Sequence, residues 1–328
     1  MSTETTVVFL HGMGKHDATF HEAAWAFLQQ KHESLSGQPL KAKVVPLVYD
    51  DLFEPLRQAG SLADLKPFVQ EAGILSALSD LQSSDSFLYT HLLDVLIWRF
   101  HPQARARIIT QLAAELSPLL VALTEGPDRQ LVVIAHSLGT AVATDVIHLL
   151  AEQGVTDYKK LPALHMLANV AKVLERPERP AYTSPPEPSL CRPWTRDPDD
   201  KGALQRYHSY RNGLDPIPLV DAFRPEWSSR LFQSTVFKSW GAKVQPHDIL
   251  TYIKAPEVYL PLLWSITLDE ATYTPELEKS ELAAGDAPDP ATAGRQGVLH
   301  DLTQRFADKP GFHDFLTLIQ SMTNQKLW

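Results

Sequence analysis

The chain has 328 residues, of which 44% are hydrophobic and 21% charged, so it can bury a substantial core and is not disordered throughout. Its 39 acidic residues outnumber the 30 basic ones, and this net charge of −9 argues against a nucleic-acid-binding protein, because phosphate contacts require clustered Lys and Arg. With one cysteine, Cys191, an intrachain disulfide and a multi-cysteine zinc site are both excluded.

Nothing at the amino terminus predicts export. The start, MSTETTVVFLHG, has no basic region, and its apolar run at 7–10 is too short for a secretory signal. No stretch of the sequence reaches the roughly 20 apolar residues that cross a membrane. We therefore expect a cytoplasmic protein without a transmembrane segment, while secretion by a route that reads no amino-terminal signal stays open.

Hydrophobic periodicity along the chain predicts strands that alternate with helices. In chain order, the patterns predict a strand at 5–10, a helix at 17–35, a strand at 43–48, two or three helices within 51–101, a helix at 104–123, a strand at 130–135, a helix at 140–153, strands at 164–170, 206–211 and 231–238, and helices at 249–263 and 298–322. Asp17 is the expected N-cap of the first helix, and Pro46 favours an edge position for the second strand. Seven prolines within 177–198 indicate an extended loop, and the composition of 283–295 indicates a mobile segment.

This alternation is typical of an α/β protein with a mostly parallel sheet that helices cover on both faces. We expect a single domain over 1–328, in which 51–101 is a helical insertion and 268–328 a carboxy-terminal extension. In such sheets, sites form at the carboxyl ends of the strands. The residues that follow each predicted strand are therefore the first candidates for chemistry.

The segment AHSLG at 135–139 joins the clearest strand to a helix. A nucleophile on a sharp strand-to-helix turn needs small residues two positions before and after it, because larger ones would clash with neighbouring backbone. Ala135 and Gly139 meet this need around Ser137, at the positive end of the helix. The alternative is that Ser137 is only a helix N-cap. Ser61, in AGSLA, lacks both the strand and the final glycine.

The segment HGMG at 11–14 follows the first strand, and its two glycines let the backbone come close to a ligand. An acyl-transfer site needs two N–H donors for the oxyanion of its tetrahedral intermediate. The N–H of Leu138 is one candidate donor. Met13 is the expected second donor, with Gly14 as the alternative. A plain glycine loop or a phosphate-binding turn stays open, although the GxxxxGK[ST] spacing is absent.

With HGMG after the first strand and AHSLG after a central one, the sequence resembles the α/β-hydrolase superfamily of serine esterases and lipases. The resemblance covers about residues 5–265, and it departs from the GxSxG pattern by placing Ala135 at the first glycine. It implies an α/β-hydrolase fold and a catalytic triad in the chain order Ser, acid, His. It implies neither a metal nor an organic cofactor.

Asp215 fits the position of the acid in this order. It lies in NGLDPIP at 212–218, just past a predicted strand and an Asn-Gly turn. The stretch is similar to the Asn-x-x-Asp-x-hydrophobic-Pro segment of class-3-type lipases, in which the Asp is the triad acid. Asp221 is the alternative acid, and a purely structural Asx-turn at Asp215 also stays open.

His247 fits the position of the histidine, in the loop between the last predicted strand and a helix. There it can act as general base and then as general acid toward Ser137. His300 and His313 fall in the predicted extension, and His208 precedes the acid and falls inside a predicted strand. A partly exposed loop histidine is the alternative for His247.

Further side chains are expected around the substrate. The substrate-binding candidates are His11, Gly12, His136, Phe53 and Phe68. His136 should point away from Ser137, and so cannot be its base. Apolar residues recur at helical spacing within 51–101, which favours either a cap over the acyl chain or ordinary packing on the sheet.

Taken together, these residues predict a serine hydrolase that cleaves a small-molecule or lipid carboxylic ester and has no nucleic-acid partner. A phospholipase, a thioesterase or an acyltransferase would use the same triad. A non-catalytic binding module of similar fold is the remaining alternative, because a fold alone does not determine an activity.

Overall fold

The computed structural model describes residues 4–58, 86–123, 129–157, 161, 163–175, 189–197, 199–225, 227, 229–239, 245–269, 272–283, 293–309 and 311–325. Its centre is a six-stranded sheet in which every neighbouring pair is parallel. The strands are β1 (Glu4–Leu10), β2 (Lys43–Leu47), β3 (Arg129–His136), β4 (Ala163–Leu167), β5 (Arg206–Asn212) and β6 (Phe232–Phe237), in the order β2-β1-β3-β4-β5-β6. The prediction of an α/β protein with a parallel sheet is confirmed.

Helices connect the strands and form the carboxy-terminal part of the chain. They are α1 (Glu22–Ser36), α2 (Asp50–Gln58), α3 (Ser86–Phe100), α4 (Pro102–Ala122), α5 (Leu138–Glu152), α6 (Ile249–Lys254), α7 (Pro256–Thr267), α8 (Pro275–Ala283), α9 (Ala293–Phe306) and α10 (Phe312–Asn324). None of the helices among the described residues is long and apolar enough to cross a membrane.

Helices pack on both faces of the sheet, and the alternation of side chains along β1 shows how. Val8 and Leu10 belong to one buried cluster, which also contains residues of α2, α3, α4, α5, α9 and α10. Val7 and Phe9 belong to a second buried cluster, with α1, α6 and α7. Successive strand residues point to opposite faces. The burial of apolar side chains on both faces is the main favourable contribution to the stability of such a parallel sheet.

The carboxyl ends of four strands bring the candidate residues to one edge of the sheet. The HGMG loop follows β1, Ser137 follows β3, Asp215 follows β5 and His247 follows β6. Because all strands run in the same direction, these four segments meet at the same edge. The strand order also reverses between β1 and β3, where crevices form in open α/β sheets.

Several predicted boundaries are wrong, and each has a local cause. Asp17 is not the N-cap of α1, since its carboxylate accepts the N–H of Thr19 in a separate turn and the helix begins at Glu22. The helix predicted over 249–263 is divided at Ala255, because Pro256 has no N–H to continue the ladder.

Two other predicted elements have wrong boundaries for similar local reasons. The strand predicted over 164–170 ends at Leu167, where Ala168 takes φ of 50°. The helix predicted over 298–322 is two helices separated by a turn with Asp308 at φ 57°. Helix α8 was not predicted. Residues 59–85, most of 177–198 and most of 283–295 lie outside the described residues, so the predictions there stay predictions.

Two histidines lie side by side in the buried face formed with α7. His165 on β4 and His208 on β5 are in register, and their rings stack at 4.6 Å between centroids. His165 is satisfied by the Tyr210 hydroxyl and the Ser265 hydroxyl, each at 3.0 Å. Burial lowers the pKa of His165 well below its ordinary value. Burial, aided by the charge of Arg206, lowers the pKa of His208 to about 4, although Gln233 acts in the opposite direction.

We expect these depressed pKa values to make the protein sensitive to mild acid. Folded His208 stays neutral to about pH 4, whereas the unfolded chain protonates it below about pH 6.5. The contribution of neutral His208 to the free energy of unfolding is therefore complete above pH 6.5 and decreases as the pH falls toward 4. At pH 5 this contribution has fallen by about 2 kcal/mol. Urea unfolding should show that wild type loses about 2 kcal/mol more unfolding free energy between pH 7 and pH 5 than His208→Gln does. The exposed His300→Gln is the control, and an equal acid loss in the two variants would contradict the expectation.

Candidate active site

Ser137 occupies a strained turn between β3 and α5. Its backbone has φ 53° and ψ −124°, a conformation that L-residues adopt only when the surrounding structure holds them there. The turn is held by the N–H of Ser137, which donates to Leu167 O at 3.0 Å, and by Thr140, whose N–H and hydroxyl both donate to Ser137 O. Although Ser137 stands at the N-cap position, its side chain makes no capping bond. The hydroxyl is therefore directed elsewhere.

Two glycines allow this turn to lie close to the loop after β1. A Cβ at Gly139 would come within 2.3 Å of His11 O, so no larger residue fits there without moving the backbone. A Cβ at Gly12 would lie 3.0 Å from the Ser137 Cβ. The HGMG loop thus passes directly beside the serine. The steric demand for small residues, which was predicted from the sequence, has its cause in this packing of loop against helix.

Ser137, His247 and Asp215 form a continuous hydrogen-bonded chain. Nε2 of His247 is 2.9 Å from Ser137 Oγ, and Nδ1 of the same ring is 2.7 Å from Asp215 Oδ2. Ser137 is 1% exposed and Asp215 fully buried. Since a carboxylate only accepts, Nδ1 carries the proton and Nε2 is left as an acceptor facing the serine hydroxyl. The three residues predicted as a triad are therefore brought together in the order that nucleophilic catalysis needs.

The Asp215 carboxylate is fixed by two further donors. Oδ2 also accepts the Tyr252 hydroxyl at 2.8 Å, and Oδ1 accepts the Ile217 N–H at 3.1 Å. The second bond is an Asx-turn, so the structural role left open for Asp215 coexists with its contact to His247. Asn212 ties the same strand end to the histidine loop, because its side-chain amide donates to Pro246 O at 3.2 Å. These bonds fix the direction of the carboxylate.

His136 holds the histidine loop from the other side. Its Nε2 donates to the His247 carbonyl at 2.8 Å. Burial, together with the neighbouring His247, keeps the pKa of His136 well below its ordinary value, so the ring is neutral at pH 7. A neutral ring has one N–H, and the carbonyl partner places it on Nε2. His136 is thus a support for His247.

The peptide between Gly12 and Met13 has a fixed direction. His11 accepts the Tyr49 N–H at Nε2, so its proton is on Nδ1, which donates to Gly12 O at 2.8 Å. In a trans peptide the C=O and N–H point in opposite directions. Because His11 holds Gly12 O, the Met13 N–H points away from the His11 ring. That N–H forms no hydrogen bond within the described part of the chain.

The next peptide is held at both ends. His16 Nε2 donates to Met13 O at 3.1 Å, and the Gly14 N–H donates to Asp94 Oδ2 at 2.9 Å. Asp94, on α3, is 1% exposed. With its N–H already bound to this carboxylate, Gly14 is not available as an oxyanion donor. Of the two alternatives weighed from the sequence, the geometry favours Met13 together with Leu138, whose N–H opens α5 and has no intrahelical partner.

The other candidates among the described residues make contacts outside the Ser137–His247–Asp215 chain. Asp221 forms a salt bridge with Lys172 at 3.2 Å and is no partner of His247. His300 and His313 lie exposed on α9 and α10. Phe53 is fully buried in the core with its ring 5.8 Å from that of Tyr49, which is the ordinary packing left open for this segment. Phe68 lies outside the described residues.

Three residues of this site were missed by the sequence reasoning. Asp94, Tyr49 and Tyr252 all contact it from helices or loops, and none has a distinguishing local pattern. Tyr252, five residues after His247 on the following helix, is the one that proximity could have suggested. No group of three or more His, Cys, Asp or Glu side chains in the described ranges is arranged to hold a metal ion.

No protein-family model matches the chain, and no curated protein matches it significantly in sequence.

Proposed function

We propose that this chain is a serine hydrolase of the α/β-hydrolase fold that cleaves carboxylic esters. The observation that carries the proposal is the hydrogen-bonded chain from Ser137 through His247 to Asp215, with distances of 2.9 and 2.7 Å. The three residues follow β3, β5 and β6 in the chain order Ser, acid, His. This is the order of the family that the sequence resembles.

Each group has a role in the proposed reaction. Ser137 Oγ attacks the ester carbonyl while His247 Nε2 takes its proton, and an acyl-enzyme forms as the alcohol leaves with that proton. Water then attacks the acyl-enzyme with His247 again as base, which releases the acid and restores the serine. Asp215 holds the imidazole in the required tautomer and stabilises its charged form.

The oxyanion of each tetrahedral intermediate would be held by the Met13 and Leu138 N–H groups. Such donors lower the barrier because they are already oriented when the charge forms. The His11 contact to Gly12 O supports this assignment for Met13, and the N-terminal end of α5 adds the positive end of its dipole at Leu138. A loss of one donor in such sites typically costs about 10²- to 10³-fold in kcat.

Covalent labelling tests the proposal directly. A fluorophosphonate probe should label the wild-type chain at Ser137, and Ser137→Ala should not be labelled. Ser234→Ala, which removes an exposed serine from β6, is the matched control and should be labelled like wild type. Hydrolysis of p-nitrophenyl acetate should follow the same pattern. An unlabelled and inactive wild type, or label retained by Ser137→Ala, would overturn the assignment.

A further inference from the structure

The carboxy-terminal extension is bonded to the segment that follows the acid Asp215. Its contact is the turn at 307–309, where α9 ends. The Asp308 N–H donates to Leu219 O at 2.9 Å, and the Asp221 N–H donates to Lys309 O at 3.1 Å. Each segment therefore donates one main-chain hydrogen bond and accepts one, as paired strands do. Two such bonds fix both the distance and the relative orientation of the two segments.

The backbone of both segments turns sharply at this contact. Asp308 has φ 57° and Asp221 has φ 47°, in the left-handed region, which Asp and Asn tolerate better than most residues. The Asp308 carboxylate pairs with Arg224, but the two side chains are 61% and 64% exposed. Exposed ion pairs contribute little to stability. The main-chain bonds, and not the charges, are therefore what joins the extension to the acid segment.

The turn is held on its other side by buried packing. Phe306, at the end of α9, and Phe315, on α10, are 3% and 0% exposed. Both belong to the same buried cluster as Ile217 and Val220 of the acid segment. Because protein interiors are close-packed, neither segment can shift without moving the other.

One short helix connects this contact to the triad. A 3₁₀ helix covers Ile217–Leu219, immediately after Asp215 and Pro216. At its start, the Ile217 N–H donates to Asp215 Oδ1 at 3.1 Å. At its end, Leu219 accepts the bond from Asp308. A displacement of Leu219 would therefore reach the Asp215 carboxylate through a single helical turn.

We propose that the turn at 307–309 positions the triad acid, with Asp308 as the positioning residue. The proposal rests on the proposed function of the triad. Asp308 holds Leu219, and through it the direction in which Asp215 Oδ2 meets His247 Nδ1 at 2.7 Å. A misplacement of about 1 Å in a catalytic group can lower the rate by about 10²-fold. The carboxy-terminal extension is thereby a part of the catalytic apparatus.

Substitutions at left-handed positions test this role with a matched control. Leu268, which caps α7, has φ 53°, and it lies near the opposite edge of the sheet, where Ile266 O accepts the Thr5 hydroxyl. A β-branched residue is strained at such φ values, so Asp308→Val and Leu268→Val should both lower Tm. Asp308→Val should also lower kcat for p-nitrophenyl acetate at least about tenfold, with KM within about twofold of wild type. Leu268→Val should keep the wild-type kcat.

Conservative variants separate the turn from the charge. Asp308→Asn tolerates the same φ and keeps the N–H, so it should restore the wild-type kcat although its ion pair is lost. Asp308→Ala should fall between Asn and Val. It replaces Asp308→Val in the comparison if that variant does not fold, which circular dichroism would show.

Proton NMR gives a second readout, which does not depend on turnover. The proton between His247 Nδ1 and Asp215 should give a downfield resonance, assigned by its loss in His247→Ala. Wild type, Asp308→Asn and Leu268→Val should show it, and Asp308→Val should weaken or lose it. If wild type shows the resonance but cleaves no ester, the proposed function fails, and the resonance still tests the positioning.

Three results would overturn the positioning role. The first is that Asp308→Val keeps the resonance and the kcat that Leu268→Val has. The second is that Asp308→Asn loses as much kcat as Asp308→Val, which would assign the effect to the charge. The third is that wild type lacks the resonance, because the bond that Asp308 is proposed to align would then be absent.

Discussion

Ser137→Ala and His247→Ala should each lower kcat for p-nitrophenyl acetate by at least about 10³-fold, and the double variant should be little worse than either one. The reason is the 2.9 Å contact between His247 Nε2 and Ser137 Oγ. In the proposed reaction the imidazole activates only that hydroxyl, and without the imidazole the hydroxyl is a poor nucleophile. Removing either group therefore removes the same step. The measurement is the steady-state kinetics of wild type, the two single variants and the double variant, which together form a double-mutant cycle.

A histidine elsewhere provides the matched control for this cycle. His300 lies exposed on α9, and His300→Ala should keep the wild-type kcat. Residual activity in the Ser137 and His247 variants would come from the oxyanion donors and from substrate binding. Losses that multiply in the double variant would mean that the two residues act in separate steps, and one of the two roles would then be wrong.

Asp215→Asn should lower kcat at least about 10²-fold, yet less than Ser137→Ala does. All three groups that contact the Asp215 carboxylate, namely those of His247, Tyr252 and Ile217, are donors. An amide has one oxygen and one NH₂, so it must turn a donor toward one of these donors. If the NH₂ faces the ring, the imidazole proton moves to Nε2, and the nitrogen beside Ser137 can no longer accept.

Asp221→Asn is the control for this change. Asp221 sits at φ 47°, which Asn also tolerates, and its carboxylate pairs with Lys172. We expect its kcat to stay within about twofold of wild type, because a partly exposed ion pair contributes little. A larger loss of kcat in Asp221→Asn than in Asp215→Asn would mean that Asp221, and not Asp215, is the triad acid.

The arrangement of Ser137, Asp215 and His247 could be predicted from the sequence because the patterns around these residues are local. The small residues around Ser137 and the Asn-x-x-Asp turn before Pro216 are short patterns whose cause is steric, and they need no knowledge of distant contacts. Parallel strands then bring such patterns to one edge automatically. The partner of each triad residue followed from chain order and not from distance.

The residues that hold the site in place from distant parts of the chain could not be predicted from local patterns. Asp94 binds the Gly14 N–H across 80 residues of chain, and no periodicity predicts which acidic residue of a helix will turn inward. The break at Pro256 was missed because an apolar pattern on both sides continues at helical spacing, although the missing N–H ends the ladder. Contacts that distant segments build together, such as the stacking of His165 on His208, leave no local signal.

The anchoring of the HGMG loop determines how far this chain can be shortened. Asp94 on α3 binds the Gly14 N–H of this loop, and Asp50, which begins α2, binds the His16 N–H just after it. The helices on either side of residues 59–85 therefore each hold the segment after β1 at one point. A deletion of 51–101 would keep all six strands, but it would leave the buried Gly14 N–H without an acceptor. The insertion is therefore no detachable module. A minimal version of this protein would need a new carboxylate beside Gly14 before its length could be reduced.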